Sequence, residues 1–269
     1  MILAQVETWP APLLEYLESQ SEILLAHARH DCETMNAYLA PKKIHIPTAM
    51  MPRNPHKRAR EDVAQTIHDL LQSTTLRGWH CTRLTKHEVE QITTQGMQLP
   101  NLQILHDRIR RVQAAHMLED QIAQRLIDEN EADDSNRKGM IWFCFFEPRL
   151  AGQSGIERFF RRWGGEVLYN SHECDPHTGK VLQLVGRPYI NEADILISSF
   201  GRNTYLSDKV IFRYLLSRGF NTGQELEHED KSYEPIPAAS IVRFVIHGEP
   251  EFAALTDCDS WDPPLGEII

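Results

Sequence analysis

Three residues with chemically active side chains lie close together in residues 78–84, whose sequence is Gly-Trp-His-Cys-Thr-Arg-Leu. His80 can exchange a proton near neutral pH, the hydroxyl of Thr82 can hydrogen-bond a ligand, and Arg83 carries a permanent positive charge. Side chains alternate along a strand, so a strand here places His80 and Thr82 on one face and Arg83 on the other. Taken alone, the segment also fits a half-exposed strand with ordinary polar residues, so its interpretation depends on the elements around it.

A short helix is predicted directly after this strand. Thr85 is suited to begin the helix, because Glu88 follows three residues later and completes a capping box. Apolar residues then recur at helical spacing until Gly96, which is suited to end the helix. The predicted unit is therefore a strand, a tight turn and a helix, with His80 near the centre of the strand.

Composition and charge restrict the class of protein. The chain has 269 residues, of which 41% are hydrophobic and 25% are charged, as in ordinary globular proteins of one or two domains. No apolar run approaches the roughly 20 residues of a membrane span, and the first residues lack the pattern of a signal peptide. Five cysteines at irregular spacing favour a reducing compartment over a disulfide framework. These features predict a cytoplasmic protein with no membrane contact.

The net charge of −10 does not favour nucleic-acid binding over the whole surface. Three clusters of basic residues nevertheless occur, and local positive charge decides the affinity for phosphates. The alternative interpretation is that these clusters lie on solvated helix faces and pair with Asp and Glu. The clusters are Arg53-His56-Lys57-Arg58-Arg60, Arg108-Arg110-Arg111 and Arg158-Arg161-Arg162.

Residues 1–74 are predicted to form a helical N-terminal segment. A leucine-rich stripe predicts a helix over residues 11–40, and a second apolar face predicts one over residues 58–71. Between them, residues 41–55 contain four prolines and few apolar residues, which is typical of a linker or surface loop.

Residues 75–269 are predicted to form an α+β domain. Apolar residues at three- and four-residue steps predict one long helix over residues 102–126, capped by Asn101. The continuous apolar run at residues 140–146 is typical of a central strand buried on both faces. Further strands are predicted over residues 166–169, 181–185, 189–197 and 241–246, and a helix begins near residue 207.

Two groups of His and Cys residues have part of the spacing of a metal site. Neither group is accompanied by a matching set of further ligands, and ordinary turn residues surround the second group. We therefore predict no metal site. The groups are His27, His30 and Cys32, and His172, Cys174 and His177.

Three segments, in their order along the chain, resemble the signature elements of the ADP-ribosyltransferase fold in its His–Tyr–Glu branch. They are residues 79–83, residues 139–143 and the acidic stretch that precedes residues 235–241. Diphtheria-type toxins, poly-ADP-ribose polymerases and several bacterial toxins share this fold, which binds NAD in a cleft between two small sheets. The resemblance covers roughly residues 76–247. It implies a split-sheet α+β core with NAD as a substrate.

The resemblance implies roles for residues of the first two segments. His80 matches the histidine that hydrogen-bonds the ribose next to the nicotinamide, with Thr82 on the same face and Arg83, on the other face, as a further NAD contact. Trp142 stands where the family has an aromatic residue, most often Tyr, that stacks on the nicotinamide. Phe143 is the alternative on the opposite face. The aromatic residues that would form the second wall of the pocket are Phe159, Phe160 and Tyr169.

The third element of the resemblance is a Glu at the start of a late strand. In the family this carboxylate orients a ribose hydroxyl and stabilises the developing oxocarbenium ion. The spacing to Ile236 favours Glu229 as the catalytic residue, and Glu227 and Glu234 are the alternatives.

The function that the resemblance implies is mono-ADP-ribosyl transfer from NAD to a macromolecular acceptor. RNA, DNA and protein are all candidate acceptors, and the basic clusters favour nucleic acid slightly. Free-standing bacterial proteins of this type are often toxins of toxin–antitoxin or anti-phage systems, which implies an antitoxin protein as a partner. Trp in place of Tyr leaves open a catalytically inactive module that binds or inhibits a partner. NAD hydrolysis and RNA 2′-phosphate transfer are further alternatives on a related fold.

Overall fold

A computed structural model describes residues 1–38, 52–201 and 205–266. These residues form eleven α-helices and five β-strands. The helices are α1 (Ala11–Ser19), α2 (Ser21–Tyr38), α3 (Lys57–Leu71), α4 (Lys86–Gln95), α5 (Leu102–Ala114), α6 (Asp120–Asp128), α7 (Gly152–Arg161), α8 (Glu166–His172), α9 (Thr178–Leu184), α10 (Tyr205–Ser217) and α11 (Pro250–Thr256). The strands are β1 (Thr75–Leu84), β2 (Ile141–Cys144), β3 (Arg187–Leu196), β4 (Glu229–Ser232) and β5 (Ile241–Ile246).

The chain divides into two compact units. Unit 1 contains Met1–Leu76, Leu196–Ser198 and Arg202–Leu226. Unit 2 contains Arg77–Ile195, Ser199–Gly201 and Glu227–Ile269. The first change of unit along the chain lies close to residue 75, where the second domain was predicted to begin. Helix α10 belongs to unit 1, although it follows that position in the sequence.

Unit 1 is built from α1, α2, α3 and α10, whose apolar faces form its core. Leu17 and Ile67 are fully buried, and the hydroxyl of Tyr214 donates a hydrogen bond of 2.7 Å to Glu18. The helix predicted over residues 58–71 is confirmed, and the one predicted over residues 11–40 is confirmed up to residue 38, with an interruption at Gln20. Residues 39 and 40 lie outside the described residues. Most of the predicted loop at residues 41–55 lies outside the described residues.

Unit 2 contains a five-stranded sheet in the order β4-β2-β1-β3-β5. Strand β2 pairs antiparallel with both β1 and β4, and β3 pairs antiparallel with β5. The predicted α+β class is confirmed. The described strands form one sheet, whereas the resemblance implied two small sheets.

Strand β2 is shorter and more exposed than the sequence predicted. It begins at Ile141 and ends at Cys144, and Trp142 at its centre is 42% exposed. Alternation along the strand directs Ile141 and Phe143 toward the apolar core and Trp142 away from it. The prediction that this strand is buried on both faces was therefore wrong.

Three other local predictions were also wrong. Residues 166–169 and 181–185 lie largely in α8 and α9 instead of strands. Short apolar runs do not distinguish a buried strand from a buried helix, and here Leu168 and Leu182 pack in a cluster with residues of α5 and α6. The single helix predicted over residues 102–126 is broken between α5 and α6, where His116 adopts a φ of 58°.

The capped helix predicted after β1 is confirmed. The backbone N–H of Glu88 donates to the hydroxyl of Thr85, and the backbone N–H of Thr85 donates to the carboxylate of Glu88 at 2.7 Å. Gly96 follows α4 with a φ of +78°, and a Cβ atom there would lie 2.0 Å from the carbonyl oxygen of Ile236. Met97 and Ile236 exchange two backbone hydrogen bonds of 2.9 Å. The end of α4 is therefore fastened to the segment that follows β4.

We expect Gly96→Ala to destabilise the protein more than Gly139→Ala. Gly139 has a similar φ of +71° but open space around its Cβ position. The substitution Gly139→Ala therefore measures the effect of the positive φ alone, an expected loss of about 1–2 kcal/mol in unfolding free energy. Gly96→Ala adds a backbone clash, which raises the expected loss of unfolding free energy by roughly 1–3 kcal/mol more. Urea denaturation measures both variants. Equal losses would contradict the close approach of Gly96 to Ile236.

Candidate functional site

A cavity of about 860 Å³ within unit 2 collects most of the predicted site residues. This volume lies in the range of roughly 300–1,000 Å³ that small-molecule sites occupy. The walls come from β1, β2, the first residue of β4 and helices α4, α5 and α7. The predicted residues that line the cavity are His80, Thr82, Trp142, Phe143, Phe159 and Glu229.

His80 is oriented by the backbone of the neighbouring strand. Its Nδ1 atom lies 2.8 Å from the carbonyl oxygen of Trp142. Burial lowers the pKa of His80, the hydrogen bond to Trp142 opposes that shift, and the charge of Arg108 adds to it. The imidazole is therefore neutral at neutral pH. A carbonyl oxygen can only accept a hydrogen bond, so the Nδ1 atom of His80 must carry the hydrogen. In the neutral ring, Nε2 then has no hydrogen and can accept a hydrogen bond.

Glu229 is the first residue of β4 and, of the three candidate glutamates, the one that lines the cavity. Its Oε1 atom accepts a hydrogen bond from the thiol of Cys144 at 3.8 Å. Partial burial raises the pKa of Glu229, and the negative charges of Glu227 and Glu166 act in the same direction, while the bond from Cys144 opposes them. The side chain of Glu229 is exposed at the surface, so its carboxylate is open to solvent as well as to the cavity.

His80 and Glu229 leave their strands on different faces of the sheet. The register pairs Trp79 with Cys144, and Cys144 with Glu229. Directly opposed residues of antiparallel strands share a face, so Glu229 lies on the face of Trp79 and Cys144. His80 follows Trp79 and starts from the other face. It reaches β2 through its bond to the carbonyl of Trp142, and both His80 and Glu229 line the cavity.

The predicted aromatic residues occupy different surroundings. The ring of Trp142 is exposed and has the ammonium group of Lys231 4.6 Å from its centroid. Phe143 is only 2% exposed, and its ring centroid lies 5.7 Å from that of His80. Phe159 packs edge-on against Tyr169 at 5.9 Å. Phe143 and Phe159 therefore form apolar wall, whereas Trp142 stands at an open position.

Arg83 supports the wall of the cavity from the opposite face of β1. Its guanidinium donates to the carbonyl oxygens of Val185 at 2.7 Å, Phe160 at 3.1 Å and Gln183 at 2.5 Å. Burial lowers the pKa of Arg83 to about 10. The side chain thus ties residues near the ends of α7 and α9 to β1, and its hydrogen bonds go to the protein backbone.

The sequence analysis did not predict the buried ionic cluster that lies at the end of β1. The carboxylate of Glu88, which is 8% exposed, accepts from Arg108 Nε at 2.6 Å and from Trp163 Nε1 at 2.9 Å. The guanidinium of Arg108 also lies 5.0 Å from the ring centroid of Trp163. Burial alone would raise the pKa of Glu88, but Arg108 and the three hydrogen bonds outweigh it, and the pKa lies below its ordinary value. The capping pattern identified Glu88, but neither of its distant partners.

Two arginines in the cavity wall were also missed as site residues. Arg111 of α5 hydrogen-bonds His87 and Gln91, and Arg187 at the start of β3 donates to the carbonyl oxygen of His247 at 3.1 Å. Within the described parts of the chain, neither arginine forms an ion pair with a carboxylate. Both are therefore available for an anionic group in the cavity.

Residues 1–38, 52–201 and 205–266 contain no candidate metal site and no candidate membrane-spanning helix. In those ranges no group of three His, Cys, Asp or Glu side chains could hold a metal ion. No helix described there combines the length and apolarity needed to cross a membrane. His172, one of the metal candidates, is buried and contacts Thr178 Oγ1 at 3.1 Å and the carbonyl oxygen of Glu129 at 2.6 Å.

Comparisons of the chain with protein-family models, curated proteins and solved structures found no match. The functional interpretation therefore depends on the chemistry of the cavity and on the resemblance of the three short segments.

We expect Glu88→Gln to destabilise the protein by about 3 kcal/mol or more at pH 7, because Arg108 loses its partner in a half-buried position. The matched control is Glu90→Gln on the exposed side of the same helix, with an expected change within about 0.5 kcal/mol. Denaturation of both variants and the wild type at pH 7 and pH 3 measures these effects.

The pH dependence of this difference follows from the lowered pKa of Glu88. A carboxylate whose pKa is depressed by folding contributes its full stabilisation above its ordinary pKa of 4.5 and loses it as pH falls through the folded value. The difference in the free energy of unfolding between the wild type and Glu88→Gln should therefore become smaller as the pH falls. A gap that does not change with pH would contradict the ionic role of Glu88.

Proposed function

We propose that the protein is a mono-ADP-ribosyltransferase that transfers ADP-ribose from NAD to a macromolecular acceptor. The observation that carries the proposal is the meeting of three distant segments on the adjacent strands β1, β2 and β4, around one cavity. These segments contain His80, Trp142 and Glu229. Glu229 also begins a late strand, as the third element of the resemblance requires.

The cavity has groups that suit the parts of NAD. The guanidinium groups of Arg111 and Arg187 can pair with its phosphates. The free Nε2 of neutral His80 can accept a hydrogen bond from a ribose hydroxyl, and Phe159 offers apolar surface to a ring. The volume of about 860 Å³ is sufficient for a ligand of this size class.

Glu229 supplies the negative charge that the transfer needs. When the bond between the nicotinamide nitrogen and ribose C1′ breaks, the bonding electron pair stays with nicotinamide and positive charge develops on the sugar. A fixed carboxylate stabilises that charge, most strongly where water screens it least. A nucleophilic oxygen or nitrogen of the acceptor then bonds to C1′ and releases its proton.

His80 acts by orientation. Its Nδ1–H is held by the carbonyl of Trp142, so its ring is fixed and Nε2 presents one acceptor to the ribose. Because burial keeps the imidazole neutral, His80 adds no positive charge next to the cationic nicotinamide.

One observation favours a second candidate, a module that binds NAD without cleaving it. His80 and Glu229 leave their strands from different faces of the sheet, so a single ribose must reach both for catalysis. A protein in which NAD contacts only one of them would bind the nucleotide and leave it intact.

The test is incubation with NAD labelled in its ADP-ribose part and with separate RNA, DNA and protein pools. We expect label in one pool, a rate about 10²-fold or more lower for Glu229→Gln, and about tenfold or more lower for His80→Ala. Glu234→Gln is the matched control, because Glu234 is exposed and lies outside the cavity wall. It should retain the wild-type rate.

Each other outcome has a defined meaning. NAD that remains intact and does not stabilise the protein overturns the proposal, since ligand at about 100 times its Kd should add roughly 2.7 kcal/mol of stability. Stabilisation without cleavage identifies the non-catalytic module. Cleavage without transfer identifies an NAD glycohydrolase. Loss of activity in Glu234→Gln with full activity in Glu229→Gln would show that the wrong glutamate was chosen.

A further inference from the structure

Two exposed aromatic rings joined by a lysine lie beside Glu229. Trp142 is 42% exposed and Tyr233 is 43% exposed. The ammonium group of Lys231 lies 4.6 Å from the ring centroid of Trp142 and 5.6 Å from that of Tyr233. Trp142 and Lys231 are direct partners in the β2–β4 register, and Glu229 lies two residues before Lys231 on the same face. We call Trp142, Lys231 and Tyr233 the aromatic platform.

The strand beneath the aromatic platform is held in place by buried contacts. Ser232 is fully buried, and its hydroxyl donates to the hydroxyl of Ser199 at 2.9 Å. The backbone N–H of Tyr233 donates to the carbonyl oxygen of Ser199, also at 2.9 Å. The ring of Tyr233 lies so near Gly201 that a Cβ there would be 3.1 Å from Cε2. The aromatic platform is therefore formed before any ligand binds.

The charge of the aromatic platform disfavours the role that the resemblance gives to Trp142. The nicotinamide ring of NAD carries a positive charge, and the ammonium group of Lys231 already lies against Trp142. Two cations at one ring repel each other. A neutral ring with an anion attached suits the platform better, because the ring can stack on an aromatic side chain while Lys231 pairs with the anion.

Bases of single-stranded nucleic acid have this combination of properties. Every base presents a neutral flat face that stacks on Trp or Tyr, and a phosphate follows at each nucleotide. Bases within a duplex are stacked on each other and do not offer this face. The basic cluster at residues 158–162 is less suited to bind nucleic-acid phosphates, because its arginines already form ion pairs within the protein. Arg158 and Arg162 pair with Glu173, and Arg161 pairs with Glu157.

We infer that the aromatic platform binds an unpaired base of a single-stranded nucleic acid and presents that strand to Glu229. The identification of this strand as the acceptor depends on the proposed function, whereas its binding to the platform does not.

Fluorescence anisotropy without NAD tests the inference. The probes are labelled RNA and DNA single strands of about 12 nucleotides and their duplexes. We expect the protein to prefer single strands and its affinity to fall about five- to 100-fold in Trp142→Ala and in Tyr233→Ala. Lys231→Gln should reduce the slope of log affinity against log salt by about 0.7. Tyr205→Ala is the matched control, an aromatic residue that is 70% exposed in unit 1.

The outcomes separate this inference from the proposed function. Wild-type affinity in both Trp142→Ala and Tyr233→Ala overturns the aromatic platform, as does equal binding of duplexes. Labelling of a protein pool by a protein that binds neither oligonucleotide also overturns it and points to a protein acceptor. Platform-dependent binding of single strands with NAD left intact supports the platform and refutes the proposed transferase.

Discussion

The buried carboxylate of Glu88 is the interaction on which the shape of the cavity depends. It accepts one hydrogen bond from the end of β1, one from Arg108 of α5 and one from Trp163, which follows α7. Thr85 and Arg108 line the cavity, and Trp163 immediately precedes the lining residues 164–167. A buried charge is stable only while its partners are in place. Displacement of any one of these three segments would therefore leave the carboxylate of Glu88 without one of its partners and destabilise the positions of the other two.

Short covalent and hydrogen-bonded connections link this cluster to the strands that contribute the other site residues. Thr85 follows β1 directly and caps α4, and the segment after α4 is hydrogen-bonded through Met97 to Ile236, four residues beyond β4. The strands β1 and β4 are therefore connected to opposite ends of α4, and β2, which contributes Trp142, pairs with both of them. The cavity and the aromatic platform share β2 and β4, so a nucleotide in the cavity and an acceptor on the platform would meet near Glu229.

The sequence predicted best those features that are decided by neighbouring residues. The capping box of Thr85 and Glu88, the cap at Asn101 and the strand over residues 241–246 all depend on local pattern. The helices α8 and α9 were mistaken for strands because tertiary packing, and not periodicity, decides the conformation of short apolar runs. The partners of Glu88 and the carbonyl contacts of Arg83 are distant in sequence. The face on which Glu229 lies depends on strand register, which a single strand does not reveal.

We propose that NAD binds in the cavity with its nicotinamide ribose between His80 and Glu229. A crystal structure of Glu229→Gln with NAD tests this proposal most directly, because we expect the substitution to slow cleavage while it preserves the shape of the side chain. We expect a ribose hydroxyl within hydrogen-bonding distance of His80 Nε2, residue 229 beside ribose C1′, and phosphates near Arg111 and Arg187. NAD that occupies the cavity without contact to residue 229, or that binds elsewhere, would contradict this binding mode.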